Sequence, residues 1–232
     1  MISNINPTLF PLSKLAKVLD IGSADGANSF AMKKLGCEVS AIEIDPVLVE
    51  RFKNNPNSDG IDIRTGDARK MPFSDNMFDA AILIEVIEHI PETEGLLEEI
   101  YRVLKPGGVL CIGVPTAYTE HLYWRLHPNY ASNATHVRIF KKKDLTLLLE
   151  SAGFRIKSVE THNFVPAVSW IFHSLLRSKS DHTGTIHSHL WIDRSLNSFF
   201  EGWGKTPVAR KVLAKISRTI GKSWYIYCEK SA

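Results

Sequence analysis

Val18-Leu19-Asp20-Ile21-Gly22-Ser23-Ala24-Asp25-Gly26 decides how this chain folds. An apolar run that stops on glycines reads as a β-strand feeding a sharp turn, where the backbone can approach a ligand closely. A second apolar run, Glu38 to Ile44, places the carboxylate of Glu43 about 20 positions further on, where an acidic side chain can accept hydrogen bonds from ribose hydroxyls. Gly66-Asp67-Ala68 follows a third short run, Ile61 to Thr65. Three polar turns at the ends of successive strands point to one ligand crevice along a sheet edge.

Outward from this stretch, strand-like and helix-like patterns alternate. That alternation is the signature of a parallel sheet covered by helices. Lys17–Ile21 is strand one, and Asn28–Leu35 is a helix closed by Gly36. Pro46 opens the next helix at its tolerated first turn. Phe78–Ile84 reads as a continuous buried strand, the pattern of a sheet centre. Glu92–Leu104 puts Leu96, Leu97, Ile100, Val103 and Leu104 on one helical stripe. Lys105-Pro106-Gly107-Gly108 breaks that helix before a strand at Val109–Val114. A helix at Lys142–Ser151 and strands at Phe154–Val159 and Ser223–Glu229 complete the pattern. Pro115–Phe140 reads as a loop, and Thr161–Lys222 as an insertion between the last two strands.

Length and composition are those of one globular domain: 232 residues, 44% hydrophobic and 23% charged. A net charge of +3 is too small to argue for nucleic acid. Cys37, Cys111 and Cys228 are widely spaced and odd in number, so they form no disulfide framework or metal knuckle. With no secretion signal and no long apolar run, a cytoplasmic chain without a membrane span is expected.

The motifs VLDIGSADG (18–26), AIEIDP (41–46), GDARKMPFSDNMFD (66–79), LIEVIEHI (83–90), LKPGG (104–108) and HVRIFKKKDLTLLLESAGF (136–154) resemble those of class I S-adenosylmethionine-dependent methyltransferases, small-molecule branch, which includes quinone-biosynthesis enzymes. The resemblance covers residues 16–160. It implies a Rossmann-like, doubly wound α/β sheet of seven strands, mostly parallel with an antiparallel last strand. One domain would span 1–232, with a cofactor core at 16–160, cap insertions at 115–140 and 161–222, and a last strand at 223–229. It further implies that Asp20, Gly22, Ser23, Ala24 and Gly26 shape the pocket for the methionine part of S-adenosylmethionine. Glu43 would hold the ribose, Ile44 flank the adenine, and Asp67 and Ala68 accept from and donate to it. Ile84 and Glu85 would line the floor near the sulfonium. The family loop usually reads G-x-G-x-G; here Ala24 replaces the middle glycine, a methyl group that a negative φ would accommodate. A nicotinamide dehydrogenase would want G-x-G-x-x-G, which Ala24 and Ala27 break.

The implied reaction is direct displacement at the sulfonium methyl carbon by a small-molecule nucleophile. Ile84-Glu85-Val86-Ile87 is not the N/D-P-P-Y/F run of amide- or base-nitrogen methylation, and there is no Pro-Cys dipeptide for a covalent cytosine mechanism. Oxygen or carbon acceptors are therefore favoured. Glu85 and His136 are the candidate catalytic side chains, His136 as a base. Glu85-Val86-Ile87-Glu88-His89 resembles the metal-binding signature of small-RNA and some quinone O-methyltransferases. With His136 it offers Glu85, Glu88 and His89 as ligands for Mg²⁺ or Mn²⁺. The alternative is local capping and packing by Glu88 and His89. A cofactor-binding protein with regulatory or lost activity is the second functional class, and metal-assisted methylation of RNA or a quinone the third.

Within the insertion, Phe164–Phe172 reads as a cover for the substrate mouth, as core, or as a membrane-surface contact. His182, His187 and His189 match no tight ligand pattern, and no zinc is expected. Val208–Ile220 is a basic amphipathic helix, either packed on the core or resting on a membrane surface.

Overall fold

The computed structural model describes residues 5–10, 14–126, 136–162 and 221–231. The expectations for Phe164–Phe172, His182, His187, His189 and Val208–Ile220 lie outside those residues. The described chain runs β1 (Lys17–Ile21), α1 (Ala27–Lys34), β2 (Glu38–Glu43), α2 (Pro46–Lys53), β3 (Asp62–Thr65), β4 (Phe78–Ile84), α3 (Thr93–Val103), β5 (Leu104–Pro115), α4 (Ala117–Leu126), α5 (Lys142–Ser151), β6 (Phe154–His162) and β7 (Ser223–Lys230).

The seven strands form one sheet in the order β3-β2-β1-β4-β5-β7-β6. The β1–β2, β1–β4, β2–β3 and β4–β5 pairs are parallel. β7 inserts between β5 and β6 and runs antiparallel to both. The expected mostly parallel, seven-stranded Rossmann-like sheet is therefore present. Successive side chains of a strand point to opposite faces, and each face here has its own core. Leu19, Ile21, Leu83, Leu110, Ile112 and Ile226 pack on one side with the α3 stripe Leu96, Leu97, Ile100 and Val103. Val18, Ala80, Ile82, Cys111 and Tyr227 pack on the other. Burial on both faces explains why β4 reads as an unbroken apolar run from Ala80 to Ile84.

Three sequence expectations need correction. Residues 115–140 are not all loop, because Ala117–Leu126 is helical. The Thr116 hydroxyl accepts from the Thr119 backbone N–H at 3.3 Å, as an N-cap does. Lys105–Gly108 does not separate α3 from β5. The strand begins at Leu104, which pairs with Phe78, and after a register shift resumes with Ala80 opposite Val109. Gly107 at φ +76 lets the backbone make that excursion. Strand six runs to His162 rather than Val159, because pairing with β7 continues as far as Ser223.

The fold positions the site through a switch in strand order. From β1 the chain moves outward to β2 and β3, then returns across β1 to β4. The loops after β1 and β4 thus diverge over neighbouring strand ends and leave a crevice between them.

Candidate functional site

That crevice is a cavity of about 390 Å³, lined among others by Gly22, Ala24, Glu43, Asp67, Glu85 and His89. Its size lies in the range of small-molecule sites. Ile44 and Ala68 also line it, and Ile44 is 66% exposed, an apolar side chain left uncovered at the mouth.

The first loop is tightly bent. Gly22 has φ +69 and Gly26 φ +92, and a methyl on Gly22 would run into the Val86 side chain. Ala24 does not keep a negative φ: it sits at +48, in the left-handed region. Glu43 explains why. Its Oε2 accepts the Ala24 N–H at 2.9 Å, and its Oε1 accepts from Ile44 and Asp45 at 2.8 and 3.0 Å. The carboxylate at the end of β2 thus ties down the β1 turn, and Glu43 also lines the cavity.

Asp20 and Gly26 lie behind the pocket wall. The Ser29 hydroxyl donates to Asp20 Oδ2 at 2.5 Å, coupling β1 to α1. Burial pushes the Asp20 carboxyl up to about 6. Ser23 is buried with its Oγ lacking a hydrogen-bond partner, directly within the turn. A buried hydroxyl so left is a polar group waiting for a ligand or a water. Ile84 ends β4 against Gly113, outside the cavity lining.

Asp67 receives a two-pronged contact from Arg69, with Nε and Nη2 donating at 3.1 and 2.7 Å. The guanidinium holds the Asp67 carboxyl below its usual range. Arg69 lines the cavity and also reaches Glu92 at 3.3 Å. Sequence reading did not single out Arg69, although an acid-x-Arg turn is a signal for such a pair.

A polar cluster lies at the tip of β4. Glu85 has φ +54, a strained conformation for a non-glycine residue, held by its N–H donating to Gly113 and by Ser223 Oγ donating to its Oε1 at 3.2 Å. Glu88 is 2% exposed, and neither carboxylate oxygen has a hydrogen-bond partner. Burial, aided by the charges of Glu85 and Glu120, pushes Glu88 up to about 8. Glu88, His89 and His136 each offer a ligand atom, all within 4.8 Å of one another; Glu85 falls outside that group. The His89 and His136 rings meet edge to face at 4.5 Å. His136 Nδ1 lies 3.0 Å from Glu120 Oε2. Glu120 comes from α4, so reading residues 115–140 as loop hid it. Thr116, a good N-cap residue one position before the helix, was the available signal.

Residues 19–112 match the family described as Methyltransferase domain. Sterol 24-C-methyltransferase erg6 of Schizosaccharomyces pombe is 35% identical over 171 residues, 68% of this chain and 45% of that protein. Ubiquinone biosynthesis O-methyltransferase of Xanthomonas oryzae pv. oryzae is 35% identical over 98 residues, 41% of each chain. The chain thus spans less than half the length of these two relatives. Among solved structures, a SAM dependent methyltransferase from Archaeoglobus fulgidus superposes with TM-score 0.63 at 19% identity, covering 99% of this chain and 91% of that one. The [4+2]-cyclase SpnF superposes with TM-score 0.62 at 20% identity, covering 97% and 78%. At such identities the likeness concerns the fold, and one fold hosts more than one chemistry. Among the described residues, no helix is long and apolar enough to cross a membrane.

Proposed function

We propose that this chain, which carries a class I S-adenosylmethionine-dependent methyltransferase domain, transfers a methyl group to an oxygen or carbon nucleophile of a small molecule. The observation that carries this reading is the convergence of Gly22, Glu43 and Asp67 on one cavity at the ends of β1, β2 and β3, with Glu85 of the β4 tip beside them. The residues fit the cofactor. A side chain on Gly22 would fill the bend, Glu43 Oε2 keeps one acceptor position for a hydroxyl, and the unpartnered Ser23 hydroxyl lies in the same turn. Glu43 would hold the ribose, and Asp67, Ala68 and Ile44 the adenine. Ala24 would sit beside the methionine tail.

S-adenosylmethionine supplies the electrophilic methyl on a positively charged sulfur. The protein's own part is alignment and proton handling. In this reading His136 or Glu85 takes the proton of a hydroxyl acceptor. A well-placed base is worth about 10²- to 10⁴-fold. The names of the relatives include a sterol C-methyltransferase and a ubiquinone-biosynthesis O-methyltransferase, so both acceptor types stand.

A second reading is favoured by Glu88. Burial holds Glu88 protonated up to about pH 8, with no hydrogen-bond partner and beside two imidazoles, and a cation entering there would take the place of that proton. Glu88, His89 and His136 would hold Mg²⁺ or Mn²⁺, which would acidify a bound hydroxyl.

The test is a methyl-release assay on phenols, catechols, alkenyl lipids, amines and RNA, with and without Mn²⁺. Turnover on a hydroxylated or alkenyl substrate supports the proposal. Cofactor binding without turnover on any of them favours a regulatory cofactor-binding protein.

A further inference from the structure

The Glu120–His136 contact joins two segments that no motif connects. Glu120 is 8% exposed and lies on the first turn of α4; His136 follows it 16 residues later in the chain. Both are fixed independently of each other. Glu120 N–H donates to Thr116 O at 3.1 Å. The hydroxyls of Thr116 and Thr119 donate to the carbonyls of Gly221 and Lys222 at 3.2 and 3.0 Å. The first turn of α4 is thereby bolted to the residues that lead into β7. On the other side, the N–H groups of Val137 and Arg138 donate to Glu88 O at 2.9 and 3.3 Å, and the His136 ring packs on the His89 ring. The imidazole is held from both flanks, with a carboxylate against one chosen nitrogen.

An ionised carboxylate only accepts, so a hydrogen bond at His136 Nδ1 requires the proton to be there. Neutral histidine carries one ring proton, and the hydrogen bond at one nitrogen sets the role of the other. We propose that Glu120 is a positioning residue: it holds the Nδ1–H tautomer of His136 and leaves Nε2 as the lone-pair nitrogen of the site. This rests on placing His136 in the methyl-transfer site, where a bare Nε2 serves equally as proton acceptor or as cation ligand.

The test is a long-range ¹H–¹⁵N correlation spectrum of ¹⁵N-histidine-labelled protein at mildly alkaline pH, with His136 assigned from a His136→Gln variant. The expected result is Nδ1 protonated and Nε2 bare in the parent. In Glu120→Leu the ring reverts to the Nε2–H form favoured by unconstrained imidazole, while Glu120→Gln, whose carbonyl still accepts, keeps the parent pattern. An Nε2–H ring in the parent, or an unchanged tautomer in a folded Glu120→Leu protein, overturns the proposal. Should Glu120→Leu fail to fold, the parent spectrum with Glu120→Gln decides. No cofactor or substrate enters the measurement, so it stands or falls separately from the methyl-transfer assay.

Discussion

Replacing Ala24 by glycine should stabilise the chain, because Ala24 holds a backbone conformation that suits glycine better. At φ +48 its methyl crowds the following carbonyl, which costs about 1–2 kcal/mol for an L-residue. Glycine removes that strain but gives the unfolded chain more freedom, a loss of about 0.5–1 kcal/mol. The Ala24 N–H that donates to Glu43 is a backbone group and survives the change. The net gain is about 0.5–1 kcal/mol, or about 1–4 °C in midpoint for a chain of this size. Ala24→Val provides the opposite arm, since a β-branched residue tolerates positive φ worse than alanine. Urea and thermal unfolding of the three proteins in parallel measure both arms. A midpoint for Ala24→Gly at or below the parent, or a Val variant as stable as Ala, would refute the claim of stored strain.

Two further predictions follow from buried carboxylates. Asp20 is raised from 3.8 to about 6 in the folded chain, so the folded state holds its proton more tightly than the unfolded one. Its contribution to stability is present in full below pH 4 and declines through pH 4–6, by about 3 kcal/mol. In urea titrations from pH 4 to 7, Asp20→Asn should gain on the parent as pH rises; parallel curves would contradict this. Glu88→Gln should be at least as stable as the parent in chelator at pH 7, because glutamine is neutral without the proton that folding must bring to a Glu88 raised to about 8. With Mn²⁺ at about 100 times Kd, the parent should gain about 2.7 kcal/mol and the variant little. Equal responses of the two proteins to Mn²⁺ would remove the cation reading.

Much of this architecture was readable because its elements obey local rules. Lys17–Ile21, Phe78–Ile84 and Lys142–Ser151 have the bounds that their patterns predict, since the apolar pattern ends at a glycine for the first and third and at the charged Glu85 for the second. The α3 stripe is buried as its spacing requires. Helix α4 escaped because its apolar residues follow no strong stripe, and its start is marked only by Thr116. The β5 excursion at Lys105–Gly108 escaped for a different reason: a Pro-Gly-Gly stretch signals a break, whereas tertiary pairing with β4 carries the strand through it. In the site, Gly22, Glu43 and Asp67 could be found from their order along the chain. Local sequence could not show that Glu43 would pull Ala24 into positive φ, or that Ser223 and Glu120 would arrive from distant segments to hold Glu85 and His136. Those contacts depend on which strand ends become neighbours.

The central claim, a cofactor cavity governed by the Glu43 carboxylate, is tested most directly by calorimetric titration of S-adenosylmethionine into the parent and Glu43→Gln, with unfolding curves to establish that both are folded. Saturable heat in the parent and at least tenfold weaker binding in the variant, a loss of about 1.4 kcal/mol, is the predicted result. No heat in the parent at millimolar cofactor, or equal affinity in a folded Glu43→Gln protein, would contradict it.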